Sequence, residues 1–389
     1  MSCLSYPPLR IAMLTHSTNP RGGVVHAMQL SEALTALGHR VVLHAPDARG
    51  KGFFRKASCE TACFPVEPAA SDMTTMVEQR IEDYVQYFES LGARDFDLFH
   101  AHDGISGNAL ATLKERGLIP GFARTVHHID TFTDPRLMEL QDRSIDRADL
   151  FFSVSEMWQA TLRNNRGISS TVVGNGVDTH RFAPTWSGDQ TELHDRLDLH
   201  AGPVFLSVGG IEARKNTLAI LDAFRQLRAV QPEAQLVIAG GVSLLDHHGY
   251  QEEFQSHLRT LRADAAAVHV IGAVADEDMP NLYRLADALV FPSLKEGFGL
   301  VVLEAMASGV PAIVPSIAPF TEYLSSEDVI WCDPYHSASI AEAMALSLLT
   351  PIRDRVISHG LEVVGRFSWH RVAEAHLSTY ATLKEAAHA

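Results

Sequence analysis

At 389 residues the chain is long for one core and long enough for two domains. Its 46% apolar and 20% charged residues are ordinary for a globular protein, and no apolar run reaches the roughly 18 residues of a membrane span. A formal net charge of −15 argues against a nucleic-acid binder, whose surface carries a basic field.

Strands and helices alternate twice, a pattern that predicts parallel sheets with crossover helices. In the first half, strands are expected at 11–15, 41–44, near 62–66, near 98–102, 123–127 and 151–154, with a last short strand at 171–173. Helices are expected at 24–37 and about 74–91, with helical segments after the later strands. A polar stretch, 183–202, separates this half from a second alternation. There the expected strands are 204–208, 236–239, 268–271, 288–291 and 312–314, and the helices 217–230, 250–262 and 301–307. Ser368 is a suitable N-cap for a terminal helix opening on Trp369-His370-Arg371-Val372. The expected fold class is α/β, with two Rossmann-like domains, 1–182 and 183–367, facing a central cleft, followed by the terminal helix, 368–389. In such sheets ligands bind beyond the carboxyl ends of the strands.

The four cysteines, Cys3, Cys59, Cys63 and Cys332, are too few and too scattered for a disulfide framework. Cys59-x3-Cys63 lacks partnering metal ligands and reads as a pair of small buried thiols. Residues 1–10 lack signal-peptide architecture, so a cytoplasmic location is expected. The charge is uneven: residues 1–180 hold 17 Lys and Arg against 21 Asp and Glu, a net −4, and residues 181–389 hold 15 against 26, a net −11. The milder first half is compatible with an anionic acceptor or a membrane surface there.

The most informative stretch is Glu296-Gly297-Phe298-Gly299-Leu300, followed by the helix that carries Glu304. Glycines 297 and 299 permit positive φ and let backbone approach a ligand. The helix beyond them directs unpaired N–H groups and a positive dipole end outward, which favours a phosphate. Glu304 falls about one turn into that helix, still within reach of a bound ligand. Two acids flanking such a turn suit a ligand bearing both a diphosphate and sugar hydroxyls. The alternative is an ordinary strand–turn–helix with two surface acids. The Glu-x7-Glu spacing resembles the signature of the family 4 retaining glycosyltransferases of the GT-B fold, and the resemblance covers nearly the whole chain.

Other segments acquire roles through that resemblance. Gly22-Gly23 opens the first helix, either as a tight turn or as a place for close ligand approach. It is similar to the family's N-terminal glycine loop, near the donor phosphates or the acceptor. Lys215 at a helix start can neutralise charge developing on a diphosphate leaving group, or can sit with Arg214 on a solvated helix face. The pair resembles the family's two basic residues with one departure: many members carry arginine where this chain has Gly210. Arg214 is expected to supply that charge from a different backbone position. In the family a strand-end histidine lines the sugar pocket; His127 is the better match, with His128 and Asp130 supporting it. Asn175-Gly176-Val177-Asp178 resembles the turn before the interdomain linker and reads as mainly structural.

Asp95-x-Asp97 precedes its strand, at the wrong end for a metal-bound diphosphate, whereas His102 and Asp103 sit at the correct end. The expectation is therefore transfer without metal or cofactor, the helix dipole and Lys215 taking the cation's place. Gly240-Gly241 and Ile271-Gly272-Ala273-Val274 end strands on the expected nucleotide side. Residues 49–56 interleave basic side chains with Phe53 and Phe54, as a solvated mobile loop or a peripheral membrane contact would.

The resemblance implies a retaining sugar transfer from a nucleotide-diphosphate sugar to an unidentified acceptor. Glu304 is expected on the ribose, Glu296 on the sugar hydroxyls, and the backbone of Gly297, Phe298, Gly299 and Leu300 on the diphosphate or sugar. The competing readings are a nucleotide-sugar epimerase or a phosphorylase on the same fold, or a nucleotide-sugar-binding protein without turnover if Gly210 has removed an essential charge.

Overall fold

The structure is a computed structural model that describes residues 7–185, 190–241 and 248–388; Cys3 lies outside them. The chain forms two compact units, one comprising Met1–Gly176 with Trp369–Ala389, the other Val177–Ser368.

The first unit is built on seven parallel strands: β1 (Arg10–Leu14), β2 (Arg40–Asp47), β3 (Glu60–Pro65), β4 (Leu98–Ala101), β5 (Ala123–Val126), β6 (Leu150–Ser153) and β7 (Thr171–Val172). Their order is β3-β2-β1-β4-β5-β6-β7, so the direction of winding reverses between β1 and β4. Apolar runs such as Ile11-Ala12-Met13-Leu14 are buried on both faces because crossover helices cover the sheet. Several of these helices are started by aspartate. Asp103 accepts from Ser106 N at 2.8 Å and Asp134 from Arg136 N at 2.7 Å, the latter with Pro135 in the first turn. Leu14, Tyr84, Phe88, Phe99, Leu110 and Phe122 form the main core. Each large apolar side chain fully buried there contributes roughly 1.5–3 kcal/mol.

The helix Trp369–His388 belongs to this unit. Trp369, Val372, Leu377 and Tyr380 are buried, and the helix lies on the helix Gly22–Ala36 and on β6.

The second unit has six parallel strands: β8 (Val204–Val208), β9 (Gln235–Ala239), β10 (Val268–Gly272), β11 (Ala288–Val290), β12 (Ala312–Pro315) and β13 (Ile330–Cys332). Their order, β10-β9-β8-β11-β12-β13, reverses between β8 and β11. Phe205, Ile220, Phe224, Leu236, Phe254 and Met344 fill its core. β13 and the helices Ser337–Ser347 and Thr350–Val364 extend this unit beyond the elements read from sequence. β13 is only three residues long, too short to show a period.

Two local expectations need correction. Cys59 and Cys63 are free and half-buried rather than fully buried, and burial pushes the Cys59 thiol up to about 12. The 49–56 loop is tied down: the Asp47 carboxylate accepts from the backbone N–H of Arg49, Gly50 and Gly52, and Arg55 pairs with Glu32 at 2.6 Å.

Candidate active site

In the second unit the reversal of strand order places the loops after β8 and β11 side by side, where a doubly wound sheet opens a crevice. The loop after β8 carries Arg214 and Lys215; the loop after β11 carries Glu296. Leu294 N donates to Arg214 O at 2.8 Å, and the Asn216 side-chain Nδ2 donates to Pro292 O at 3.2 Å, so one backbone and one side-chain hydrogen bond pin the two loops together. Lys215 Nζ is 2.7 Å from Glu296 Oε1 and 4.2 Å from the centroid of the Phe291 ring. Arg214 bridges Glu296 Oε1 and Glu212 Oε2, each at 3.0 Å.

Lys215 is only 8% exposed. Burial pushes its ammonium down to about 8, against the pull of Glu296. Burial also pushes the Glu296 carboxyl upward, but Lys215 and Arg214 outweigh it and hold the group below the usual carboxylate range. Below about pH 8 the cluster therefore holds two cations around Glu296, with its outer charge on Arg214.

The backbone beneath this cluster is close-packed. Gly210 has φ +78°, and a Cβ there would stand 2.9 Å from Gly241 O. Gly209 leaves room for the Lys215 stem: a Cβ on it would lie 2.6 Å from Lys215 Cε. Gly210 is thus a backbone position that resists any side chain.

The helix Leu300–Ala307 begins at Gly299, which has φ +101° and no room for a Cβ, since one would meet the Phe320 ring at 2.5 Å. Gly297 does not use positive φ. The Phe298 ring is buried, stacked on Tyr323 at 4.7 Å, and Tyr323 OH donates to Phe298 O at 2.9 Å. Only the backbone of this turn is therefore offered to a ligand. One turn into the helix, Glu304 Oε2 accepts from Tyr283 OH at 2.7 Å. Burial pushes the Glu304 carboxyl up, with the Tyr283 hydrogen bond and Arg181 opposing.

The first unit presents a different edge. Beyond β4 and β5, His102 Nδ1 and His127 Nε2 are 3.2 Å apart. His26, His100 and His376 pack around them, with ring centroids of His26 and His127 4.8 Å apart. His26 Nδ1 contacts Asn175 Oδ1 at 2.5 Å, and His100 contacts Tyr380 OH at 2.6 Å and Thr125 Oγ1 at 2.8 Å. Burial holds all five imidazoles neutral, with His26 pushed down to about 4 and His376 to about 3. Among the described residues no three His, Cys, Asp or Glu side chains converge as a metal site requires.

Two family models match: Glycosyltransferase Family 4 over residues 20–181, and Glycosyl transferases group 1 over residues 189–360. The chain belongs to the family 4, group 1 glycosyltransferases. It is 25% identical over 388 residues to the phosphatidyl-myo-inositol mannosyltransferase of Mycobacterium leprae, covering 96% of this chain and 97% of that one. It is also 26% identical over 272 residues to O-antigen chain mannosyltransferase B of Escherichia coli, covering 67% and 70%. Its fold resembles that of Anabaena Alr3699/HepE, solved in complex with UDP and glucose, with a TM-score of 0.77, 18% identity and coverage of 96% and 99%. The enzyme thus has the GT-B fold and is a glycosyltransferase.

In this glycosyltransferase the structure gathers Arg214, Lys215 and Glu296 into one cluster, and sets Gly297, Phe298, Gly299, Leu300 and Glu304 along the adjoining turn and helix. His127 belongs to the first unit's histidine edge and touches the position of Gly23, where a Cβ would lie 3.4 Å from its Cδ2; Gly22 faces open space. His128 and Asp130 instead form an exposed pair at 3.1 Å. Asp95 and Asp97 both pair with Arg10, which accounts for the Asp-x-Asp as a clamp at the start of β1 and β4. Sequence reasoning missed Tyr283, His26 and the contact of Asn175 with His26. Tyr283 and Glu304 sit on different helices, and residues 26 and 175 are joined only by the fold, so no local spacing signals either contact.

Proposed function

We propose that the enzyme transfers a sugar from a nucleotide-diphosphate donor to an acceptor hydroxyl with retention of anomeric configuration and without a metal ion. The observation that carries this reading is the Lys215–Glu296–Arg214 cluster at the strand-order reversal, beside the N-terminus of the helix Leu300–Ala307. A diphosphate at that helix end would meet backbone N–H groups and two cations. On this reading Glu304, one turn further on, takes the ribose hydroxyls, and Glu296 the hydroxyls of the transferred sugar.

In the proposed step the bond from the anomeric carbon to the diphosphate oxygen breaks, and the acceptor oxygen bonds to that carbon on the same face. The acceptor proton passes to the leaving phosphate oxygen. Lys215 stabilises the charge that grows on the diphosphate, an interaction stronger in the transition state than in the ground state. His127, held neutral, serves by hydrogen bonding to the sugar and not by charge. The commitment of Asp95 and Asp97 to Arg10 and the cationic character of the cluster support metal independence.

Lys215→Ala tests the reading. Turnover is expected to fall about 100-fold or more while donor affinity changes far less. Wild-type activity is expected to survive excess chelator. A pure loss of affinity in Lys215→Ala would remove its transition-state role, and activity abolished by chelator and restored by a divalent cation would overturn metal independence.

A further inference from the structure

One half-buried contact has no part in the chemistry above. Tyr283, on the helix Met279–Leu285, is fully buried, and its hydroxyl donates to Glu304 Oε2 at 2.7 Å. Its ring stands edge-on to Phe182 at 5.7 Å, which holds the ring in place. The helix carrying Glu304 is eight residues long. A carboxylate largely withdrawn from water and without a donor either rotates or takes up a proton. The donor here comes from a separate element, 21 residues earlier in the chain.

We propose that Tyr283 is a positioning residue for donor recognition: its hydroxyl occupies one oxygen of Glu304 and fixes the carboxylate plane, so that the other oxygen is aimed at the ribose of a nucleoside-diphosphate sugar. The inference rests on the donor-site reading above. Three groups face Glu304 from the surrounding elements. Tyr283 lies on the preceding helix. Arg181 comes from the segment after β7, and Asp276 from the turn before Met279; these two pair with each other at 2.8 Å. Arg181 and Tyr283 favour the charged carboxylate, and Asp276 opposes it. Arg181 and Asp276 pair with each other and act in opposite senses, and Tyr283 is the group hydrogen-bonded to Glu304.

The sign of the pH effect follows. Burial already pushes the Glu304 carboxyl above its ordinary value of 4.5, and removing the Tyr283 hydroxyl pushes it further. In Tyr283→Phe the carboxylate is therefore lost at higher pH than in the wild type, and donor affinity goes with it.

The test is calorimetric titration of the whole protein with UDP-glucose, GDP-mannose and ADP-glucose, whose diphosphate diesters do not titrate near neutrality. Wild type, Tyr283→Phe, Glu304→Gln and the double variant are compared from about pH 5 to about pH 8. Tyr283→Phe is expected to weaken binding roughly tenfold at neutral pH, with the loss shrinking as pH rises. In the Glu304→Gln background the same change is expected to cost almost nothing. A penalty in Tyr283→Phe that is equal at every pH and additive with Glu304→Gln would overturn the inference while leaving the donor site intact. If the wild type binds none of the three at any pH, the donor-site reading fails and the inference falls with it.

Discussion

The two units wind their sheets the same way, yet their ligand-side edges solve opposite problems. The second unit's edge keeps its charges: Lys215, Arg214 and Glu296 are mutually paired, so ionised groups persist where water is scarce. The first unit's edge gathers neutral rings: His26, His100, His102, His127 and His376 are packed ring against ring and neutral, beside the buried Arg124 and the Asp103–His16 pair. A paired cluster can answer charge that develops on a departing diphosphate. A neutral imidazole array can shape a polar surface and donate or accept hydrogen bonds without imposing a field. The contrast teaches that residue type alone does not decide electrostatic character; the partner within 3 Å does.

The largest effect should come from breaking the charged edge. Glu296→Ala leaves Lys215 buried beside Arg214 with its main counter-charge gone, and is expected to destabilise the protein by on the order of 3 kcal/mol, read from urea unfolding. Glu296→Gln, which preserves shape, should cost less stability but still impair transfer. An unchanged unfolding midpoint in Glu296→Ala would show that the cluster is not electrostatically coupled.

Acid should break the other edge. The unfolded chain takes up protons on its histidines below the ordinary value of about 6.5, whereas the folded His26 resists until about 4 and His376 until about 3. Stability is thus fully present above about pH 6.5. It falls as pH drops toward those lower values, by up to about 1.4 kcal/mol per pH unit for each such histidine. Urea titrations across this range should show the fall, and His26→Gln should make it shallower. A flat profile would mean that these rings are solvated and not buried.

A smaller effect sharpens the comparison at Gly210, where the resemblance implies an arginine. Gly210→Arg adds the side chain that the resemblance implies but forces a Cβ onto a left-handed backbone against Gly241 O. It is expected to lose roughly 1–3 kcal/mol of stability without a gain in turnover, measured by unfolding and initial rates. A faster enzyme of unchanged stability would show that Arg214 does not supply the missing charge.

The legibility of this molecule in its sequence follows the same division. Glu296, Gly299 and Glu304 were readable because one turn and one helix fix their relative positions, and helical geometry is local. Lys215 was readable as a cation at a helix start, but its partner Glu296 lies 81 residues away, and only strand order brings them together. The histidine edge was half visible: His102 and His127 end their strands, whereas His26 and His376 reach it from helices whose packing no spacing announces. Gly210 was visible as a departure, and its physical cause, a backbone passing against Gly240 and Gly241, was not. The short strand β13 and the anchoring of the 49–56 loop by Asp47 depend on tertiary hydrogen bonds, which carry no period.

The central claim is that the second unit's charged edge, with Glu304 beside it, binds a nucleoside diphosphate. The most direct test is calorimetric titration of UDP, GDP and ADP, each with its sugar conjugate, into the wild type and Glu304→Ala. One base should bind well, with affinity falling by on the order of 1.5–3 kcal/mol in the variant, as the loss of a charge-assisted hydrogen bond requires. Binding of that base with equal affinity in both proteins, or of none of the three by the wild type, would contradict it.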